Sequence, residues 1–184
     1  MTAFDESTPW EPPMAGDEVA SLIGSLERQR RTFAWKCGGL DSEGLAPKVG
    51  VSSITLGGLL KHCALVETIW FSWRLWGRAP MPPFDEMDFD GDPNWDWESA
   101  AEDSPADLMA LWSDAVTRSR LLLAEALDEG GLDFIARTAW DDGSAPSVRR
   151  ILLDLIEEYA RHVGHADLIR ESVDGLVGED PPRP

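Results

Sequence analysis

The sequence predicts an all-α fold, a four-helix bundle whose helices are joined by long connecting loops. Four stretches carry apolar residues at the three- and four-residue spacing of amphipathic helices, and no stretch alternates convincingly as a strand would. The chain has 184 residues, 43% of them hydrophobic, which suits one domain with a sizeable core. We expect an extended lead-in at 1–15, a single bundle domain at 16–177 and a frayed tail at 178–184.

The first helix is expected to begin near Gly16 or Asp17, because a carboxylate favours a helix start. Gly38-Gly39 ends it. Its apolar stripe consists of Val19, Leu22, Ile23, Leu26, Phe33 and Cys37.

The second helix is expected at about 54–76, with Ser53 as its N-cap and Gly77 after its end. His62 lies on the flank of its apolar face. That face consists of Leu56, Leu59, Cys63, Val66, Ile69, Trp70 and Trp73.

The segment 78–103 is the longest irregular stretch. From Asp85 to Asp103 it is acidic at nearly every second position, has no Lys or Arg, and is interleaved with aromatic residues. A loop this long in a compact domain is usually functional or disordered, and the aromatic residues favour a lid or rim that packs down. Calcium binding at 88–92 is not favoured, because the twelve-residue pattern with its final Glu is missing. The aromatic residues are Phe84, Phe89, Trp95 and Trp97.

The third helix has the clearest start signal, Ser104-Pro105 followed by Asp107, and Gly130-Gly131 ends it. After a connector at 132–146, the fourth helix is expected from about Ser147 to Val173.

Composition limits the classes of function. The formal net charge of −18 repels nucleic-acid backbones and anionic lipid, so we expect no nucleic acid and no membrane as partners. The N-terminus has no signal-peptide pattern, which makes the cytoplasm the expected location. The two cysteines, Cys37 and Cys63, are too few for a disulfide framework.

All three histidines fall on or beside apolar helical faces. On a helical wheel, His162 lies about 20° from Leu155 at the middle of the fourth helix's apolar face, whereas Glu158 and His165 lie on its shoulder at about 60° and 80°. His162 is therefore expected to point inward. A buried carboxylate beside imidazoles is costly unless a cation compensates it, and a divalent ion would do so.

Two interpretations of this face stay open: core histidines bonded to protein groups, or a metal site built from facing helices. Within the metal interpretation, Glu158 with His162 forms an ExxxH pair, and His62 would supply a third ligand with one position left open. The alternative pair is HxxH, His162 with His165. HExxH, Walker and GxSxG motifs are absent, so no catalytic residue is assigned.

Two blocks of the chain, GLDSEGLAPKVGVSSITLGGLLKHCALVETIWF and SVRRILLDLIEEYARHVGHADLIRESVDG, resemble the DinB/YfiT-like metalloenzyme superfamily. This superfamily includes mycothiol-dependent maleylpyruvate isomerase and thiol S-transferases. The resemblance implies a four-helix bundle with one divalent ion, commonly zinc or nickel, held by His62, Glu158 and His162. Relatives often have a histidine where this chain has Asp154, which leaves open whether Asp154 acts as an outer ligand.

The resemblance implies an enzyme that uses mycothiol or another low-molecular-weight thiol as cosubstrate, acting through a metal-bound thiolate on a small-molecule substrate. Alternatives are a non-catalytic metal-stabilised bundle and a hydrolase that uses metal-bound water. The state of assembly, monomer or homodimer, is left open. Residues expected around the ion or in its pocket are His165, Asp154, Tyr159, Trp70 and Trp73, with Trp95 and Trp97 at the mouth.

Overall fold

The computed structural model describes residues 4–5, 7–88 and 91–183. Phe89, and with it part of the 88–92 pattern weighed for calcium, lies outside the described residues. Within them the fold is all-α, as predicted, and the one β-bridge that forms joins Ile135 to Ser147. The α-helices are α1 Glu18–Cys37, α2 Ser42–Leu45, α3 Leu56–Glu67, α4 Trp95–Glu98, α5 Pro105–Gly130 and α6 Val148–Asp174.

The four long helices form the bundle, in which α1 packs along α6 and α3 packs along α5. Their facing sides are apolar and close to fully buried. Such burial is the main source of folding free energy, at roughly 25 cal/mol per Å² of apolar surface. The side chains at the centre include Leu26, Phe33, Leu60, Trp112, Val116, Ile151 and Leu155.

Helix starts follow the capping pattern of the sequence with one correction. Asp17, Ser104 and Ser147 each accept a backbone N–H as N-caps, as expected. The expected cap of the second helix, Ser53, was wrong: Thr55 accepts the N–H of Gly58 at 2.9 Å. Both residues carry a hydroxyl, so the sequence alone does not separate them.

The second predicted helix also changes its winding. It is α-helical to Glu67 and continues as a π-helix over Thr68–Leu75. The apolar face expected here was wrong: Thr68, Phe71, Ser72 and Leu75 are buried, whereas the predicted Ile69, Trp70 and Trp73 are only partly buried. The prediction assumed the α-helical repeat of 3.6 residues per turn, which does not hold in a π-helix. Such segments often occur at functional sites.

The acidic segment between α3 and α5 packs down where it is described, as its aromatic residues indicated. It contains α4 and two 3₁₀ turns, Phe84–Glu86 and Ser99–Glu102. Phe84 is buried in the core, and Lys61 from α3 holds the segment by an ion pair to Asp103 at 2.6 Å.

Both terminal segments lie against α1. In the lead-in, the guanidinium of Arg31 packs over the rings of Phe4 and Trp10. The segment expected to fray has no regular structure, but Asp180 in it pairs with Arg28 at 2.8 Å. Among the described residues, no helix is both long enough and apolar enough to cross a membrane.

A buried network of charges ties α1, α3 and α6 together. Arg30, 1% exposed, bonds Glu67 on α3 through two nitrogens at 2.8 and 2.7 Å and Glu27 at 2.7 Å. Arg120 on α5 also donates to Glu27, at 2.9 Å, and the hydroxyl of Tyr159 donates to Glu67 at 2.8 Å. Two cations therefore face two carboxylates inside the bundle.

Candidate metal centre

Three potential metal ligands meet between α3 and α6. His62 is on α3, and Glu158 and His162 lie one turn apart on α6, where residues four apart share a face. Nitrogen or oxygen atoms of the three side chains lie within 4.8 Å of one another. The structure thus brings together the same three residues that the sequence placed in one ExxxH-plus-His set.

One carboxylate oxygen bridges the two imidazoles. Glu158 Oε1 lies 3.1 Å from His62 Nε2 and 3.0 Å from His162 Nε2. Ligand atoms bound to one tetrahedral zinc ion at about 2.0–2.1 Å lie about 3.3 Å apart. The spacing and the His, Glu, His chemistry therefore fit a divalent ion.

The centre lies at the edge of the core. The His162 side chain is 7% exposed and that of His62 18%, whereas that of Glu158 is 31% exposed. The inward orientation that the helical wheel predicted for His162 is confirmed. The exposed part of the Glu158 side chain leaves one side of the three-residue cluster open to solvent, where a fourth ligand can approach.

The second ring nitrogen of each imidazole also has a partner. His62 Nδ1 lies 2.7 Å from Oδ2 of Asp96 on α4, and His162 Nδ1 lies 3.3 Å from His165 Nδ1. With an ion bound, the proton of each ring would lie on Nδ1 and the Nε2 lone pairs would face the ion. Histidines that bind metals usually donate their other N–H in this way. Without an ion, an Nε2–H of either ring can donate to Glu158 Oε1.

Hydrogen bonds set the charges of these groups. Bonds from His162 and His62 hold the pKa of Glu158 well below its usual range, so it is a carboxylate at neutral pH. Burial opposes protonation of His62, but its bonds to Asp96 and Glu158 outweigh this and raise its pKa. Burial and the neighbouring His162 lower the pKa of His165, which leaves it neutral and able to accept a hydrogen bond.

A tryptophan covers the centre from the side of α4. The Trp97 ring stacks on His62 with centroids 4.2 Å apart and planes 23° apart, and it lies 5.7 Å from the His162 ring. The sequence placed Trp97 at the mouth of the site, which agrees with this position. Trp95, also expected there, packs against Phe84 and under the Lys61 ammonium instead.

A cleft of about 580 Å³ opens beside Glu158, between α6 and the π-helical segment. Trp70 and Asp154 line it, as the sequence indicated for pocket residues, and Trp140 stands at its rim with its ring 6.2 Å from that of Trp70. The Asp154 carboxylate pairs with Arg150 at 2.7 Å and does not belong to the cluster of His62, Glu158 and His162.

Two other residues expected near the ion lie elsewhere. Tyr159 belongs to the buried network, where it bonds Glu67 and accepts from Trp112. Because it is adjacent to Glu158 on a helix, its side chain points about 100° away around the axis. The Trp73 ring packs under the Arg74 guanidinium, on the side of the connector that follows α5.

Sequence reasoning missed Asp96. Its carboxylate is 2% exposed and contacts a candidate ligand directly. A usable signal was present, since Asp96 stands between Trp95 and Trp97, and an acid flanked by aromatic residues in a segment that packs down becomes buried. The surrounding run of acidic residues obscured this signal.

Comparison with known proteins agrees with the resemblance of the two sequence blocks. A family model described as Mycothiol-S-transferase matches residues 21–175, which include all three candidate ligands. A search of curated proteins and a search of solved structures each found no match. The matching family is DinB/YfiT-like, and it spans most of the chain. The chain therefore belongs to the mycothiol S-transferase family.

Proposed function

We propose that this protein is a metal-dependent S-transferase that holds one divalent ion, zinc or nickel, with His62, Glu158 and His162 and uses mycothiol as the thiol cosubstrate. The observation that carries the proposal is the convergence of these three side chains at an edge of the core that stays open on one side. The family match supports the thiol.

A divalent ion in this position would supply Lewis acidity that lowers the pKa of a thiol at its open side. The residues of the chain prepare that position. Glu158 contributes a negative charge and is held deprotonated by two imidazoles. His62 and His162 direct Nε2 at the same point, so the ligands are arranged before the ion arrives.

The nucleophilic sulfur has to come from the cosubstrate. The two cysteines of the chain, Cys37 and Cys63, are both buried, and burial raises the pKa of each thiol. Neither is a thiolate at neutral pH, and neither is among the residues that line the cleft beside Glu158. This favours a transferase that takes its thiol from solution.

The electrophilic substrate is expected in that cleft. Its walls combine the indoles of Trp70 and Trp140 with the ion pair between Arg150 and Asp154. Aromatic walls with a few polar groups are typical of small-molecule sites.

Metal content of the purified protein tests the centre. We expect one ion per chain in the wild type and in Glu171→Gln, an exposed acid on the same helix. Glu158→Gln removes the anionic ligand, and we expect it to bind no stoichiometric ion. Equal metal content in the two variants would reject the centre.

Turnover with mycothiol, bacillithiol and glutathione against a panel of electrophiles tests the reaction. Thiol consumption by the wild type and not by Glu158→Gln is expected, with mycothiol preferred. Full metal occupancy without thiol turnover would favour the non-catalytic bundle. Hydrolysis that needs no thiol would favour the enzyme acting through bound water.

A further inference from the structure

Asp96 is a buried carboxylate outside the four bundle helices that reaches the candidate centre. It lies on α4, is 2% exposed, and its Oδ2 lies 2.7 Å from His62 Nδ1. Burying a carboxylate is energetically costly unless a positive charge or a strong hydrogen-bond donor compensates it. Its place against a candidate ligand therefore requires an explanation.

The hydrogen bond selects one form of the His62 ring. With the proton on Nδ1 and donated to Asp96, the lone pair is on Nε2, the atom that faces Glu158. The opposite tautomer would leave a lone pair against the carboxylate and a proton where the ion would sit. Asp96 therefore prepares His62 as a ligand.

The charges of Asp96 and Glu158 also favour a role for Asp96 at a metal centre. Among the described residues, no Lys or Arg bonds to Asp96 or Glu158, and both side chains lie within hydrogen-bond distance of His62. The charge of these two carboxylates equals that of one divalent ion, with the opposite sign.

The segment that carries Asp96 is fastened to the same turn of α3. Lys61, next to His62, pairs with Asp103 and places its ammonium over the Trp95 ring. On the other side of Asp96, the Trp97 ring stacks on His62. Both chain neighbours of Asp96 are therefore anchored, which limits the freedom of its carboxylate to leave the His62 ring.

We propose that Asp96 is a positioning residue of the metal centre, acting through His62, and that the α4 segment is a working part of the site. This inference rests on the proposed metal centre. Loss of a partner of this kind commonly lowers metal affinity by about 10–100-fold.

The test compares Asp96→Asn with Glu98→Gln, which removes an exposed acid from the same short helix. Zinc affinity is measured by competition with a chromogenic chelator. We expect the affinity of Asp96→Asn to fall by about 10–100-fold and that of Glu98→Gln to stay within about threefold of the wild type. Asp96→Ser, with a smaller side chain, is a second variant in case the amide disturbs folding, and the same loss is expected.

A spectroscopic measurement separates positioning from general loosening. The chain has three histidines, so ¹⁵N-histidine labelling of the zinc-loaded protein resolves each ring. We expect Asp96→Asn to shift the Nδ1–H signal of His62 and to leave that of His162 in place. Equal affinity and unchanged His62 signals in Asp96→Asn would overturn the inference while the metal centre stands. Failure of wild type and Glu98→Gln to bind zinc would overturn the centre and the inference with it.

Discussion

Two clusters of polar side chains occupy neighbouring turns of α3 and α6, and they differ in how their charges are compensated. The buried network uses Glu67 and Tyr159, and the candidate metal centre uses His62 and Glu158. In the network two arginines face two carboxylates. In the centre two carboxylates face imidazoles.

This difference separates a structural cluster from the candidate metal centre. A buried carboxylate with a guanidinium bonded to it is already satisfied and has no further ligand to bind. A carboxylate that meets only imidazoles leaves a position for a divalent cation. The adjacent residues Glu158 and Tyr159 therefore belong to different clusters, Glu158 to the candidate centre and Tyr159 to the buried network. On the helical wheel both lie on or beside the apolar face of the same helix.

The largest effect is expected from breaking the compensated cluster. Glu67→Gln leaves the guanidinium of Arg30 buried with one carboxylate fewer, and such losses cost about 3–5 kcal/mol. Urea unfolding measured with a chelator present should show this decrease in the free energy of unfolding.

Its control is Glu125→Gln, which breaks an exposed ion pair with Arg78. Pairs of that kind contribute about 0–1 kcal/mol. A similar decrease in the two variants would mean that the internal network is no more important to stability than a surface pair.

The second-largest effect is the gain in the free energy of unfolding on metal binding, which should depend on the candidate centre and not on the buried network. An ion supplied at about 100 times its dissociation constant should raise the free energy of unfolding by about 2.7 kcal/mol. We expect this gain in wild type and in Glu67→Gln, and its loss in Glu158→Gln. The measurement is urea unfolding of each protein with and without zinc. If Glu67→Gln lost the gain as well, the two clusters would be one coupled unit.

The sequence predicted the fold and the helical face shared by Glu158 and His162 because these signals are local. Amphipathic spacing identifies four long helices, and a separation of four residues places Glu158 and His162 on one face. His62 was proposed as a third ligand because it also lies beside an apolar helical face, and the family resemblance implied the same three residues. Spacing within one helix contains no information about which helix lies opposite.

Other features of the site depend on contacts distant in the chain. The bond from Asp96 to His62 spans 34 residues, and the segment between them has no periodic pattern from which a register could be derived. Tyr159 was expected near the ion because it shares the apolar face with His162. Its hydroxyl instead bonds Glu67 from α3, a residue whose burial the sequence did not indicate.

The smallest effect concerns Cys63, which lies on α3 between the two clusters, next to His62 and one turn before Glu67. Burial, and then the negative groups around it, raise its pKa far above the usual range of a thiol, and Cys37 is likewise buried. A chromogenic disulfide reagent should therefore label neither thiol in the native protein and both after denaturation in urea. Rapid labelling of one thiol in the native state would give the chain a nucleophile of its own, next to a proposed ligand. The buried network and the candidate centre would then not be separate, because Cys63, which lies between them, would be reactive. The centre would also not need to take its sulfur from a cosubstrate.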